Sequence, residues 1–167
     1  TLVTGVAQAA TTAARYEARF DDTWSATTHP IAFPANAHWS SLIGGTHDAN
    51  ATFWSLGALA SQGIKDMAER GLTSPLDTEV QAAIGAGHAG VVIHGGGISP
   101  SPGTVTATFD ISQSFPLATI VSMVAPSPDW FAGVHGLPLF VTGDRVNLVV
   151  VPLFAYSKGL SGGEIGL

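Results

Sequence analysis

Imidazole side chains are the strongest candidates for chemistry in this sequence. The chain has 167 residues with six histidines and no cysteine, which excludes thiolate metal sites, thiol catalysis and disulfide bonds. Neutral imidazole binds copper, zinc and nickel. We predict that His38 and His88 are metal ligands, because His88 and His94 lie in a glycine-rich stretch that can fold back towards His38. For His47 a structural, hydrogen-bonding role is the favoured interpretation.

A single carboxylate, Asp129, is the other candidate ligand. An apolar run from Leu117 to Val124 enters a Pro-Ser-Pro corner at residues 126–128, and Asp129 follows directly. Proline cannot donate to a strand ladder, so the corner ends a buried strand. A carboxylate fixed there is suited to metal ligation or to capping the turn, and both interpretations stay open. His135 follows six residues later, and we expect it near the same end of the fold as a further ligand.

Strands and two short helices must position these side chains. Alternating or continuous apolar patterns predict strands in five segments: 15–20, 104–111, 117–124, 137–141 and 145–153. Residues 55–70 are predicted as one helix, and a second begins at Ser74 and ends by Gly85. Strands on either side of two helices predict a mainly β protein, an antiparallel β-sandwich with two short helices inserted.

Length and composition limit both the organisation and the function. The chain fits one domain, which we place at residues 14–167, preceded by an N-terminal arm at residues 1–13. The arm is the remnant of an export signal, a strand at a sheet edge or a segment that contacts another copy, and in each case we expect an exported protein. A net charge of −6 with only six basic residues argues against nucleic acid and anionic membranes as partners.

Catalysis and membrane spanning are not expected. The sequence has no Gly-x-Ser-x-Gly elbow, and its Gly95–Gly97 run lacks the lysine and the following helix of a phosphate-binding loop. No apolar run approaches the roughly 18 residues of a transmembrane helix. We therefore expect a binding role without enzymatic activity.

Four motifs, in the same order, resemble those of the spondin N-terminal domain of the F-spondin and mindin family. They are residues 15–25 with Trp24, residues 37–44, the helix block 63–71, and Pro126-Ser127-Pro128-Asp129-Trp130-Phe131. The resemblance covers about residues 14–163. It implies a β-sandwich similar to calcium-dependent lipid-binding domains, a non-catalytic role and a bound divalent cation, usually calcium.

The resemblance also indicates where this chain departs from the family. The acid of the hallmark motif corresponds to Asp129, but the two acids of a later family loop fall on Ser157 and Ser161, with Lys158 between them. Calcium prefers six to eight oxygens with carboxylate charge, so a calcium site here is expected to be weak. Copper is the leading candidate for the cation, with zinc and calcium as alternatives.

The chain is also similar to the surface copper-binding proteins of methanotrophs, small exported domains in which two histidines and an oxidised tryptophan hold copper(I). Their two histidines would fall on His38 and His88. We therefore predict a secreted or cell-surface domain for copper acquisition or handling. The alternative is a matrix or adhesion module with a protein or glycan partner, or one that self-assembles through the N-terminal arm.

Overall fold

An antiparallel sheet at the centre of the molecule positions the candidate residues. The computed structural model describes residues 13–141, 144–145 and 155–157. In chain order, its elements are β1 (Ala13–Asp22), β2 (His38–Trp39), β3 (Ile43–His47), α1 (Gln62–Arg70), α2 (Leu76–Gly85), β4 (Ala89–His94), β5 (Gly103–Ser112), β6 (Leu117–Ala125), β7 (Trp130–Pro138), β8 (Phe140–Val141), β9 (Asp144–Arg145) and β10 (Ala155–Ser157). The central sheet has the order β10-β7-β6-β3-β4, and β2 pairs with one end of β6.

A second layer, the ribbon of β1 and β5, covers one face of this sheet. The two strands pair antiparallel along their full length, from Ala13 opposite Ser112 to Asp22 opposite Gly103. Side chains along β1 alternate between exposed and half-buried, as the alternating pattern predicted. The inward side chains of β1 and β5 form one apolar cluster with side chains of the central sheet. This cluster includes Phe109 and Leu139. The predicted antiparallel β-sandwich with two inserted helices is confirmed.

Both helices pack on the opposite face of the central sheet. Ile64, Met67, Leu76 and Val80 are almost completely buried there, in one cluster with the side chains of β3, β6 and β7. The carboxylate of Glu79 links the two helices, because it accepts hydrogen bonds from the Ser61 hydroxyl at 2.6 Å and the Gly63 amide at 2.7 Å. An α2 side chain therefore satisfies one of the amide groups that are free at the start of α1.

The predicted helix over residues 55–70 is wrong in its first half. α1 begins only at Gln62, after Ser61 accepts a hydrogen bond from the Ile64 amide as its N-cap. Gly57 has φ +77°, a left-handed conformation that breaks a helix at this point. Gly71 ends α1 at φ 65°, and the second helix ends at Gly85 as predicted.

One predicted strand is divided, and one strand was not predicted. The segment 137–141 is divided, because β7 covers Trp130–Pro138 and β8 begins at Phe140. The glycine-rich stretch contains a regular strand, β4, that the sequence interpretation treated as part of a loop. Residues 1–12 of the arm and residues 146–153 of the last predicted strand lie outside the described residues. No helix among the described residues is long and apolar enough to cross a membrane.

Candidate functional site

Strand β6 separates the candidate residues into two groups. Its last residue, Ala125, pairs with His38, and the 126–129 corner follows; we call this the turn end. Its first residue, Leu117, pairs with His47, which in turn pairs with Ala89 of β4; we call this the histidine end. The nine residues of β6 hold the two ends roughly 25 Å apart, at the usual rise of a strand residue.

The predicted approach of His88 to His38 is wrong. The later part of the glycine-rich stretch does return towards His38, because Ile98 pairs with Trp39. Its earlier part forms β4, which pairs with β3 from Ile43–His94 at one end to His47–Ala89 at the other. His88 immediately precedes Ala89 and therefore lies at the histidine end, whereas His38 lies at the turn end. The structure does not bring this pair together, and the role of each as a ligand stays a prediction.

The predicted closeness of His135 and Asp129 is also wrong. Strand β7 begins directly after Asp129 and carries the chain away from the corner in extended conformation. His135 therefore lies at the histidine end, where its ring stacks at a tilt on Trp54 with the ring centroids 5.5 Å apart. Loss of hydration lowers the pKa of His135, and the neighbouring His47 lowers it further.

His47 has a structural role at the histidine end. It is almost fully buried and uses both ring nitrogens. Its Nδ1–H donates to the Asp48 carbonyl at 2.8 Å, so Nε2 accepts from the Thr119 hydroxyl at 2.8 Å. The Thr119 oxygen also accepts from the Gly136 amide at 3.0 Å. With neither nitrogen available to a metal, His47 connects β3, β6 and β7.

His88 is much more exposed than the buried His47. Its side chain is 45% exposed, and its Nδ1–H donates to Oδ2 of Asp48 at 3.1 Å. A second hydrogen bond joins the same two residues through the backbone, from the Asp48 amide to the His88 carbonyl at 3.0 Å. No hydrogen bond from the described residues reaches Nε2 of His88. An imidazole whose Nδ1–H is held by a carboxylate has the tautomer and orientation of a metal-binding histidine.

Asp48 is itself held in place. Its Oδ1 accepts from the Asn50 amide at 2.7 Å, and Oδ2 accepts from the Asn50 side chain at 3.2 Å. Partial desolvation raises the pKa of Asp48, but the hydrogen bonds from His88 and Asn50 outweigh it and lower the pKa below its ordinary value of 3.8. The carboxylate is therefore ionised at neutral pH. It orients the His88 ring by accepting a hydrogen bond from Nδ1–H.

The turn end contains Asp129, the carboxylate considered as a calcium ligand. Asp129 is half-buried beside the corner, and the strand pairing sets Ser157 opposite Trp130, next to Asp129. A hard cation needs several charged oxygens, and the described residues of the paired strand, 155–157, include no acid. Across the described ranges, no three histidine or acidic residues form a group that could hold a metal ion. His38, the remaining candidate here, has its Nδ1 2.7 Å from the Asn36 carbonyl oxygen.

Sequence reasoning missed Asp48, the residue that distinguishes His88 from the other exposed histidines. The two side chains are 40 residues apart, and the pairing of β3 with β4 brings them together. The available signal was an acid immediately after the β3 histidine, where a strand end leads into an exposed turn. His94, at the far end of β4, has no comparable carboxylate among the described residues.

This architecture defines a class of protein: an antiparallel β-sandwich with two helices covering one face and a proline corner between its two central strands. The Spondin_N family model matches residues 14–164. The chain belongs to the spondin N-terminal domain family, as its motifs predicted.

Sequence identity to individual spondins supports this assignment. The chain is 32% identical to rat spondin-2 over 156 residues and 33% identical to human spondin-2 over 158 residues. It is 36% identical to rat spondin-1 over 158 residues. Each match covers 90% of this chain, but only 47%, 46% and 19% of those three relatives. The chain therefore spans about half the length of the spondin-2 relatives and much less of spondin-1.

Proposed function

We propose that this spondin-type domain is a non-catalytic, secreted or cell-surface module that binds a transition-metal ion through His88. The observation that supports the proposal is the hydrogen bond from Nδ1 of His88 to the Asp48 carboxylate, which leaves Nε2 directed away from its partner. The family membership supports an extracellular location, and the absence of cysteine leaves imidazole as the ligand for such a metal.

Copper is the leading candidate and zinc the alternative. Both bind neutral imidazole, whereas calcium prefers an oxygen cage. The Asp48 carboxylate increases the basicity of the ring and offsets part of the positive charge of the cation. His38, at the turn end, lacks such a carboxylate among the described residues and is the weaker ligand in this proposal.

Metal titration of the purified protein tests the proposal. Copper(I) is supplied under anaerobic reducing conditions against a chromophoric chelator, and zinc is titrated by calorimetry. The wild type and His94→Ala are expected to bind equally, since His94 is an exposed histidine at the far end of β4. His88→Ala is expected to lose at least about tenfold in affinity, in the range of a ligand-sphere mutation. Binding that is unchanged in His88→Ala would overturn the proposal.

A matrix or adhesion role is the second candidate, and exposed apolar side chains at the turn end favour it. Trp130, in the family signature, is 37% exposed, and Ile31 is 91% exposed. The loop of Ile31 is anchored at this end, because Phe33 packs edge-on against Trp24, which in turn contacts Trp39 of β2. Exposed aromatic and apolar groups of this kind are typical of contact sites for other proteins.

Cell attachment to surfaces coated with the protein tests this second role. Ile31→Ser combined with Trp130→Ala is expected to reduce attachment severalfold. Leu59→Ser is the matched control, because Leu59 is 93% exposed but lies in the loop before α1. Equal attachment to the double variant and the control would argue against the turn end as a contact surface.

A further inference from the structure

His88 has no second soft ligand within its own chain. All six histidines fall inside the described residues, and the other five lie elsewhere or are already occupied: His29, His38, His47, His94 and His135. Both nitrogens of His47 are hydrogen-bonded. His94 lies at the other end of β4, and β3 and β6 separate β4 from the His135 strand, roughly 14 Å at the usual strand spacing.

Sulfur ligands do not fill this gap. The chain has no cysteine and two methionines, Met67 and Met123, which are buried in the core beneath α1. Copper(I) needs at least two soft ligands, and zinc sites in proteins usually have four. A single imidazole with its orienting carboxylate therefore gives an incomplete coordination sphere.

We infer that a second copy of this chain completes the site, so that one metal ion is held between two His88 side chains. In a twofold-symmetric dimer each copy presents the same patch, and one ligand per chain becomes two per ion. Two neutral imidazole nitrogens are sufficient for linear copper(I). This inference rests on the proposed function of His88 as a metal ligand.

The surface around His88 permits the close approach that a bridging metal requires. Residues 85–87, from the last residue of α2 to the residue before His88, are exposed and have the sequence Gly-Ala-Gly. A methyl group added at Gly85 or Gly87 would have no atom within 4 Å, so the surface above them is open. No side chain larger than alanine stands in this segment to keep a second copy away.

Charge makes this association dependent on the metal. Each copy would contribute the ionised Asp48 carboxylate, whose side chain is 24% exposed. Two such carboxylates repel one another when no cation lies between them, and a cation bound by the imidazoles reverses the sign of that interaction. The chain is therefore expected to be monomeric at this surface without metal and paired with it.

Sedimentation velocity of the chain with copper(I), with zinc and with EDTA tests the inference. The expected result is a 17.1 kDa monomer in EDTA and a doubling of mass with copper(I), complete at half an equivalent of metal. His88→Ala is expected to stay monomeric under all conditions. Ala86→Arg keeps the Asp48–His88 pair but adds a large side chain to the open segment, and it is also expected to stay monomeric.

Four outcomes separate the inference from the proposed function. Metal bound at one equivalent by a chain that stays monomeric would overturn the bridged dimer but leave His88 as a ligand. No binding of copper(I) or zinc would overturn both. A metal-dependent dimer that persists in His88→Ala would place the bridge elsewhere and overturn the inference. Loss of the dimer in His88→Ala and Ala86→Arg, with His94→Ala unaffected, would support it.

Discussion

The histidine end and the turn end of the central sheet differ in how they hold their polar side chains. At the histidine end, hydrogen bonds join His47 of β3, Thr119 of β6, and Asp48 and His88 next to the ends of β3 and β4. At the turn end, prolines and aromatic rings dominate, and the histidine nitrogen that is bonded there contacts a carbonyl only two residues away. A network across strands orients an imidazole, whereas a local bond holds it to its own loop.

The residues that identify the family and the histidine proposed to bind metal lie at opposite ends of the central sheet. The hallmark motif of the family, residues 126–131, lies at the turn end, where strand pairing sets Ser157 opposite Trp130. The oriented histidine lies at the opposite end, and no contiguous motif marks it. A site in this fold can therefore depend on side chains that the signature does not include.

The largest expected effect is on stability, at the histidine end. His47→Ala is expected to lower the free energy of unfolding by about 2–4 kcal/mol, because it leaves a cavity and removes partners from buried polar groups. His38→Ala, the matched change at the turn end, is expected to cost less than about 1 kcal/mol. Urea denaturation measures both. Similar losses in the two variants would contradict the contrast between the ends.

Strands β1 and β5 were predictable, because burial on one face leaves an alternating pattern that sequence alone displays. The start of α1 was not predictable, because residues 55–61 contain apolar side chains at helical spacing. Only the left-handed Gly57 and the Ser61 cap exclude a helix there. The link between Asp48 and His88 depends on strand pairing between segments far apart in sequence, which no local pattern encodes.

The next largest effect is expected on metal affinity. Variants of Asp48 measure how much this carboxylate contributes to it. Asp48→Asn keeps an oxygen acceptor for His88 but loses the charge, and it is expected to weaken copper(I) binding about tenfold. Asp48→Ala removes both, and a loss approaching about 100-fold is expected. Asp129→Asn, at the turn end, is the control and is expected to bind as the wild type does. A greater loss in the Asp129 variant would transfer the site to the turn end.

A substitution at the turn end tests the expectation that a calcium site there is weak. Ser157→Asp places a carboxylate at the strand position next to Asp129, since Ser157 pairs with Trp130. Calcium affinity depends on the number of charged oxygens, so an increase of about tenfold over the wild type is expected in calorimetry. Ser112→Asp, at the end of β5, adds the same charge elsewhere and is expected to leave calcium binding unchanged. No gain in the Ser157 variant would show that more than this serine weakens the site.

The smallest effect concerns the pH dependence of stability at the histidine end. The pKa of His135 is lowered below 6.5 in the folded protein, so the unfolded chain binds this proton more readily. Stability is therefore expected to decrease as pH falls below about 6.5 towards the lowered pKa, and to change no further from this group below it. The effect is modest, because His135 is exposed and water screens the interaction.

His135→Gln removes this proton and tests the assignment. The variant is expected to show a flatter change in urea midpoint between pH 7.5 and pH 5.5 than the wild type. His94→Gln, which removes an exposed histidine from the far end of β4, is expected to keep the wild-type profile. The cause of the lowered pKa is loss of hydration beside Trp54 and the proximity of His47, so the contribution belongs to the histidine end alone. If the His94 variant flattened the profile and the His135 variant did not, the pH-sensitive group would lie outside the histidine end.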